Sequence, residues 1–129
     1  MPSKPHARLT EVELELMTIL WRLGEGTVTD VIAQLPPGRR LAYTSVSTIL
    51  RILEKKGVLT ARKDGRAHVY VPAFGKPEYE AFTVQDIVTR VFDGTPAALV
   101  SRLLQSEELS PRDLDAIRAL LAARRGGGR

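Results

Sequence analysis

The first third of the chain carries apolar residues at the spacing of amphipathic helices. Between Val12 and Leu23 they recur at intervals of three and four residues, and the segment opens with the capping-box pattern of Thr10 and Glu13. A second, shorter apolar stripe over residues 28–35 ends at two consecutive prolines, which disrupt a helix. The pattern therefore predicts two short helices whose apolar faces share one core.

A third amphipathic segment, at about residues 43–56, differs from the first two in its polar face. Its apolar stripe is expected to face the core and consists of Val46, Ile49, Leu50 and Leu53. Its opposite face is made mostly of short hydroxyl side chains and consists of Thr44, Ser47, Thr48, Arg51 and Lys55. The polar face of a solvated helix usually mixes glutamate with lysine, so this composition favours a helix that approaches another surface closely.

Strand-like residues follow at about 58–72 and predict a β-hairpin. Asp64-Gly65 is a strong two-residue turn signal between the two strands. The alternation does not decide whether Val69 or Tyr70 faces the core. The order of three helices and a hairpin predicts a mainly α fold of the winged helix-turn-helix class. The basic residues beside the turn are Arg62, Lys63 and Arg66.

Beyond a linker at 73–77, three more helical patterns carry apolar stripes. They total only about 45 residues, too few for an independent core, and apolar helices of this kind usually pair with a second copy. We therefore expect a winged-helix domain at 9–74, a helical dimerisation segment at 75–123, and flexible tails at 1–8 and 124–129. The residues expected in the dimer interface are Phe82, Ile87, Val91, Leu99, Leu103, Leu114, Ile117 and Leu121.

The positive charge of the chain is concentrated in one stretch. The net charge is +4 over 129 residues, but residues 39–74 alone hold eight Lys or Arg against two Asp or Glu, a balance of +6. Such a local block favours a polyanion partner. The chain has no cysteine, no apolar run of membrane-spanning length and no apolar signal core at its start. These features exclude disulfides and predict a cytoplasmic protein without membrane insertion.

The layout predicts binding of double-stranded DNA. The third helix can enter the major groove, which is about 12 Å wide, and its short side chains let the backbone come close. Threonine hydroxyls can bond to phosphates or base edges, and Arg51 can bind a guanine or a phosphate with two N–H groups. The hairpin, with His68 on its second strand, can reach an adjacent minor groove or the backbone. The expected contacts are Thr44, Ser47, Thr48, Arg51, Lys55, Arg62, Lys63 and Arg66.

Two other classes of function compete with DNA binding. A winged helix can serve protein–protein contacts alone, but the block of positive charge argues against this. An enzyme is disfavoured because the sequence shows no nucleophile–base pair, no glycine-rich phosphate loop and no metal-ligand spacing. Its two histidines, His6 and His68, lie too far apart in sequence to suggest a pair. No catalytic residue, cofactor or metal site is therefore predicted.

A resemblance to a known family extends over about residues 8–123. Its most specific part is the run LAYTSVSTILRILEKKG followed by GRAHVYVP; LTEVELELMTILWRLGEGTVTDVIAQL and LVSRLLQSEELSPRDLDAIRALL add to it. In these motifs the chain resembles the penicillinase-repressor family, which includes the β-lactamase and methicillin-resistance repressors. The resemblance implies a homodimeric winged-helix repressor of the bacterial cytoplasm that binds palindromic operators. It places at the DNA Tyr43, Thr44, Ser47, Thr48 and Arg51, with Arg66 on the wing.

The same resemblance implies a mode of regulation. In the antibiotic-responsive members, the signal of a membrane sensor leads to proteolytic cleavage in the dimerisation segment, so a sensor and a protease are implied as partners. The matching point here is Arg102-Leu103, but the Asn-Phe pair that is cleaved in those members is absent. A copper-responsive branch of the family carries a cysteine cluster near its C-terminus, and this chain has no cysteine for that switch.

Overall fold

A computed structural model describes residues 4–127 of the chain and divides it into two compact units, one ending at Val84 and the other beginning at Gln85. The described residues form six helices and one antiparallel hairpin, which confirms the predicted mainly α winged-helix class. The elements are α1 (Glu11–Leu23), α2 (Val28–Ala33), α3 (Tyr43–Lys55), β1 (Leu59–Asp64), β2 (Ala67–Pro72), α4 (Lys76–Val91), α5 (Pro96–Leu104) and α6 (Pro111–Gly127).

Both N-terminal helices begin with a capping box, the first of which the sequence pattern predicts. At α1, the Thr10 N–H donates to Glu13 Oε1 at 2.9 Å, and the Glu13 N–H donates to Thr10 Oγ1 at 3.2 Å. At α2, Thr27 and Asp30 form the same reciprocal pair at 2.9 and 3.1 Å. Each box satisfies two backbone N–H groups that have no partner within the helix, so both helices start where the hydroxyl residue stands.

The core of the first unit forms where α1, α2, α3 and the hairpin converge. From α3, Val46, Leu50 and Leu53 are fully buried, and Ile49 packs against them from a half-buried position. The apolar stripe of α3 is therefore confirmed as its inward face. Val69 and Tyr70 are both buried, and Tyr70 is the one of the two that belongs to the central cluster.

The hairpin turn lies one residue later than the sequence predicts. Asp64 pairs with Ala67, so the two central turn residues are Gly65 and Arg66 rather than Asp64 and Gly65. Gly65 has φ +65°, and Gly at the first central position is the requirement of a type II′ turn. Asp64 can therefore remain in the strand, and Arg66 lies at the tip of the hairpin.

A backbone contact fixes the hairpin to the helical part of the first unit. Gly26, in the loop between α1 and α2, donates to the Tyr70 carbonyl at 3.0 Å, and the Tyr70 N–H donates to the Gly26 carbonyl at 2.8 Å. This pair joins the loop to β2 as an isolated bridge. The position of the wing relative to α3 is thus set by backbone hydrogen bonds as well as by packing.

The first unit extends beyond the predicted boundary after residue 74. Tyr79, in the first turns of α4, is buried in the core, and its hydroxyl accepts from the Leu9 N–H at 2.8 Å. Phe82 packs against the same core one turn later. Because these two aromatic side chains complete the core, the helix that the sequence assigns to dimerisation begins as part of the first unit.

The second unit contains the end of α4 together with α5 and α6. Its helices leave large apolar side chains exposed, namely Val91, Val100, Leu103, Leu104, Leu114, Leu120 and Leu121. α6 continues to Gly127, into the segment from Arg124 that the sequence predicts as a tail; the alanines and arginines of this helix are strong helix formers. Residues 1–3 and 128–129 of the predicted tails lie outside the described residues. Within residues 4–127, no helix has the length and apolar character to cross a membrane.

Candidate nucleic-acid interface

The outward face of α3 presents the side chains that the amphipathic pattern places there. Thr44, Thr48 and Arg51 are exposed, Lys55 is exposed in the last turn, and Ser47 is half-buried. The first turn of α3 has no acidic residue. A continuous surface of short hydroxyl and basic groups therefore lies opposite the buried stripe.

Two large side chains border this face. Tyr43, at the first position of α3, is 58% exposed, and Ile52 is 41% exposed. Sequence reasoning did not include Ile52, because an isoleucine three residues after Ile49 is expected to continue the core stripe. Its position four residues after Thr48 is the signal that could have placed it beside the polar face.

Arg51 lies near hydroxyl groups on two elements. Its Nη2 donates to Ser47 Oγ at 3.4 Å, and its guanidinium lies near the phenol of Tyr70 on β2. Burial raises the pKa of the Tyr70 hydroxyl, the nearby Glu54 carboxylate adds to the rise, and Arg51 opposes it. The phenol therefore stays neutral, and the guanidinium is directed towards the hairpin.

A polar cavity of about 260 Å³ lies between α3 and the hairpin. Its lining comes from three elements of the first unit and the turn of the hairpin. The residues are Thr27, Val28, Thr29, Tyr43, Ser47, Arg51, Arg66, Ala67, His68 and Tyr70. We call it the α3–wing cavity.

The basic residues of the hairpin differ in their surroundings. Lys63 and Arg66 are exposed beside and within the turn, and His68 lies opposite Lys63 on the neighbouring strand. Arg62 instead forms a two-pronged ion pair with Glu25, in which both N···O distances are 2.8 Å. Hydrogen bonding to Arg62 lowers the pKa of Glu25, so this carboxylate stays ionised at neutral pH. Arg62, one of the hairpin residues predicted to contact DNA, is therefore already paired with Glu25.

Two further ion pairs join basic residues of the 39–74 stretch to α1. Arg39 donates to Glu15 through two nitrogens, at 2.8 and 2.9 Å. Lys56 Nζ lies 2.7 Å from Oε2 of the buried Glu13. Sequence reasoning missed all three pairs, since their partners stand 24 to 43 residues apart. In the part of the chain that the structure describes, no three His, Asp or Glu side chains lie together as a metal site would need.

Comparison with known proteins decides the family. The family model described as penicillinase repressor matches residues 9–123. The chain belongs to the penicillinase repressor family. It is 26% identical over 114 residues to the penicillinase repressor of Bacillus licheniformis, a match that covers 88% of this chain and 89% of that protein. It is 36% identical over 123 residues to the transcriptional regulator BlaI of Mycobacterium tuberculosis, covering 93% and 87%.

A solved structure is similar to the first part of this family member. The DNA-binding domain of the repressor BlaI matches with a TM-score of 0.51 and 30% identity, covering 60% of this chain and 94% of that domain. The likeness confirms the winged-helix prediction, and the family confirms the resemblance noted in the sequence. This penicillinase repressor family member is a DNA-binding transcriptional repressor and not an enzyme.

Proposed function

We propose that the chain is a dimeric, sequence-specific repressor that binds a palindromic DNA operator. In this proposal α3 lies in the major groove, and the hairpin contacts the adjacent backbone or minor groove. The outward face of α3 is the observation that carries the proposal, because its side chains are mostly short hydroxyl groups together with basic residues. A helix with such a face can approach base edges closely, and it sets no carboxylate of its first turn against phosphate.

The second unit supports the proposal of a dimer. Leu103, Leu114 and Leu121 were expected at the interface, and all three are exposed in the single chain, as is Val91. Ile87, Leu99 and Ile117 are half-buried. Exposed apolar helices are covered most simply by the same helices of a second copy, and a two-fold dimer matches a palindrome. Phe82 differs from the others because it packs against the core of the first unit.

Proteolytic cleavage at Arg102-Leu103 enters the proposal because the family implies this mode of regulation. Both residues are exposed, yet they lie inside α5, where Arg102 donates to Gln105 at 2.9 Å. Proteases cleave extended backbone, so a cut at this bond would require α5 to open locally first. An upstream sensor or protease would therefore act on an opened form of the second unit.

In vitro selection of random duplexes with the purified protein tests the proposed function. We expect an enriched motif with two inverted half-sites whose centres lie about one helical turn or a multiple of it apart. Light scattering of the complex should then give two chains for each duplex. Failure to enrich any motif would contradict sequence-specific binding, and a single enriched half-site bound by one chain would contradict the dimer.

A further inference from the structure

The α3–wing cavity has the size and lining of a site for one small group. Its volume of about 260 Å³ lies below the roughly 300–1,000 Å³ of pockets for drug-sized ligands. α3 contributes Ser47 and Arg51, and the hairpin contributes Arg66, His68 and Tyr70. A ligand in this cavity would therefore touch two elements that the proposed function places on DNA.

The chemistry of the lining favours an anion. Two arginines, Arg51 on α3 and Arg66 in the hairpin turn, line the cavity from different parts of the first unit, and Thr29 and Ser47 add hydroxyl groups to the lining. No Asp or Glu is among the described residues that line the cavity. Guanidinium groups bind phosphate through charge-assisted hydrogen bonds, and hydroxyls can donate to the remaining oxygens.

Two of the donors are positioned before any ligand arrives. Arg51 already donates to Ser47 at 3.4 Å, and its guanidinium lies near the phenol of Tyr70. The neutral phenol has an O–H hydrogen that it can donate to an anion. Tyr70 itself is 2% exposed, and its backbone is fixed by the two hydrogen bonds to Gly26. Tyr70 therefore has little side-chain freedom left to lose when an anion binds.

We propose that the α3–wing cavity binds a single phosphate group, with Arg51 and Arg66 as its ligands and Tyr70 as an additional hydrogen-bond donor. The proposal rests on the proposed function to the extent that this phosphate belongs to the DNA backbone; a free phosphate ion offers the same chemistry. It divides the outward face of α3 into two edges. The edge towards the hairpin holds the backbone, while Thr44, Thr48 and Ile52 on the other edge are left to contact bases.

Replacing single phosphates of the duplex by neutral groups tests whether the bound phosphate belongs to the DNA backbone. Duplexes from the selection would carry one methylphosphonate each, moved along one half-site. For the wild-type protein, one position should weaken binding by about tenfold, the value of one charge-assisted hydrogen bond. In Arg66→Ala the cost at this position should shrink, because only Arg51 is left to bind the charge of the phosphate. In the control Lys63→Ala, which removes a neighbouring charge outside the cavity, the cost at this position should persist.

Titration with inorganic phosphate tests whether the cavity binds a free phosphate ion. Tyr70→Phe tests whether the Tyr70 hydroxyl donates a hydrogen bond to the bound phosphate. NMR titration with millimolar phosphate would follow the amide signals of Arg66 and His68 in wild type, Arg66→Ala and Tyr70→Phe, all with unchanged melting curves. Shifts in wild type that weaken in both variants support the site for a free ion. The site is overturned if no methylphosphonate position depends on Arg66 and phosphate shifts no cavity signal. A protein that binds phosphate there but selects no duplex would refute the proposed function and leave the cavity assignment standing.

Discussion

Glu13 has two hydrogen-bonding partners, and the sequence pattern predicts only one of them. The capping box with Thr10 follows from spacing, whereas the 2.7 Å contact to Lys56 joins α1 to the last turn of α3. Burial alone would raise the pKa of Glu13, but hydrogen bonds from Lys56 and Thr10 outweigh it and hold the pKa below its ordinary value of 4.5. The carboxylate thus stabilises the folded state when it is ionised.

Glu13→Gln should lower the free energy of unfolding by about 1 kcal/mol at neutral pH, because the charge-assisted bond to Lys56 is lost while glutamine keeps the capping geometry. A depressed pKa contributes stability above the unfolded value and loses it as the pH falls through the folded value. The difference between wild type and variant should therefore shrink below about pH 4.5. Urea unfolding at a series of pH values measures it. Glu11→Gln, at an exposed site of the same turn, is the control, and an equal, pH-independent loss in both variants would contradict the pairing.

Thr48→Ala and Arg51→Ala should affect DNA binding in different ways. Arg51 is directed towards the hairpin, so Arg51→Ala should weaken binding to selected and scrambled duplexes alike, by about tenfold, as expected for the loss of a phosphate contact. Thr48→Ala should mainly reduce the ratio of the affinities for the selected and the scrambled duplex, by a factor of about five to ten for one base contact. Gel-shift titrations give both numbers. Thr60→Ala on β1 serves as the unaffected control, and an unchanged ratio in Thr48→Ala would remove this residue from base recognition.

At the scale of elements, helical periodicity predicted α1, α2 and α3 and most of their inward faces, since each side chain's direction follows from its neighbours along the helix. In α1, however, Leu23 at the end of the predicted apolar stripe is exposed, and Glu13 is buried. The hairpin was predicted with its turn displaced by one residue. Asp64-Gly65 and Gly65-Arg66 are both plausible two-residue turns, and the pairing of the strands chooses between them. The three glutamate ion pairs lay beyond prediction, because nothing local to Glu13, Glu15 or Glu25 indicates which distant cation it meets.

The turn of the hairpin offers a test of its geometry. Gly65→Ala should destabilise the protein by roughly 1–2 kcal/mol, because φ +65° is unfavourable for any residue with a Cβ, although no atom stands within 4 Å of the new methyl group. Gly126→Ala also places its Cβ in open space but lies in α6, so it should be neutral or slightly stabilising. Thermal unfolding compares the two. Equal effects would mean that the strain at Gly65 has no energetic weight.

At the scale of the molecule, the exposed leucines of α6 test the dimer. Leu121 is 59% exposed in the single chain, and Leu121→Glu would bury a carboxylate in the proposed interface. The dimer dissociation constant should rise at least about tenfold, since burying an unpaired charge costs more than 1.4 kcal/mol. Sedimentation over a range of concentrations measures this constant. Gln105→Glu adds the same charge at an exposed position outside the predicted interface, and an equal shift in both variants would point to net charge instead of contact.

The three long-range ion pairs change how the positive stretch can act on DNA. Its eight Lys and Arg residues include Arg39, Lys56 and Arg62, whose glutamate partners all come from residues 1–38. Eight minus three leaves at most five cations per chain to replace the ions condensed on DNA. Each replaced ion is released to the solution, so the slope of log affinity against log salt should be about −4.5 per chain, compared with about −7 for all eight. A slope near the steeper value would mean that the glutamates give up their partners to DNA, so that the ion pairs of α1 and of the loop after it open when the operator is bound.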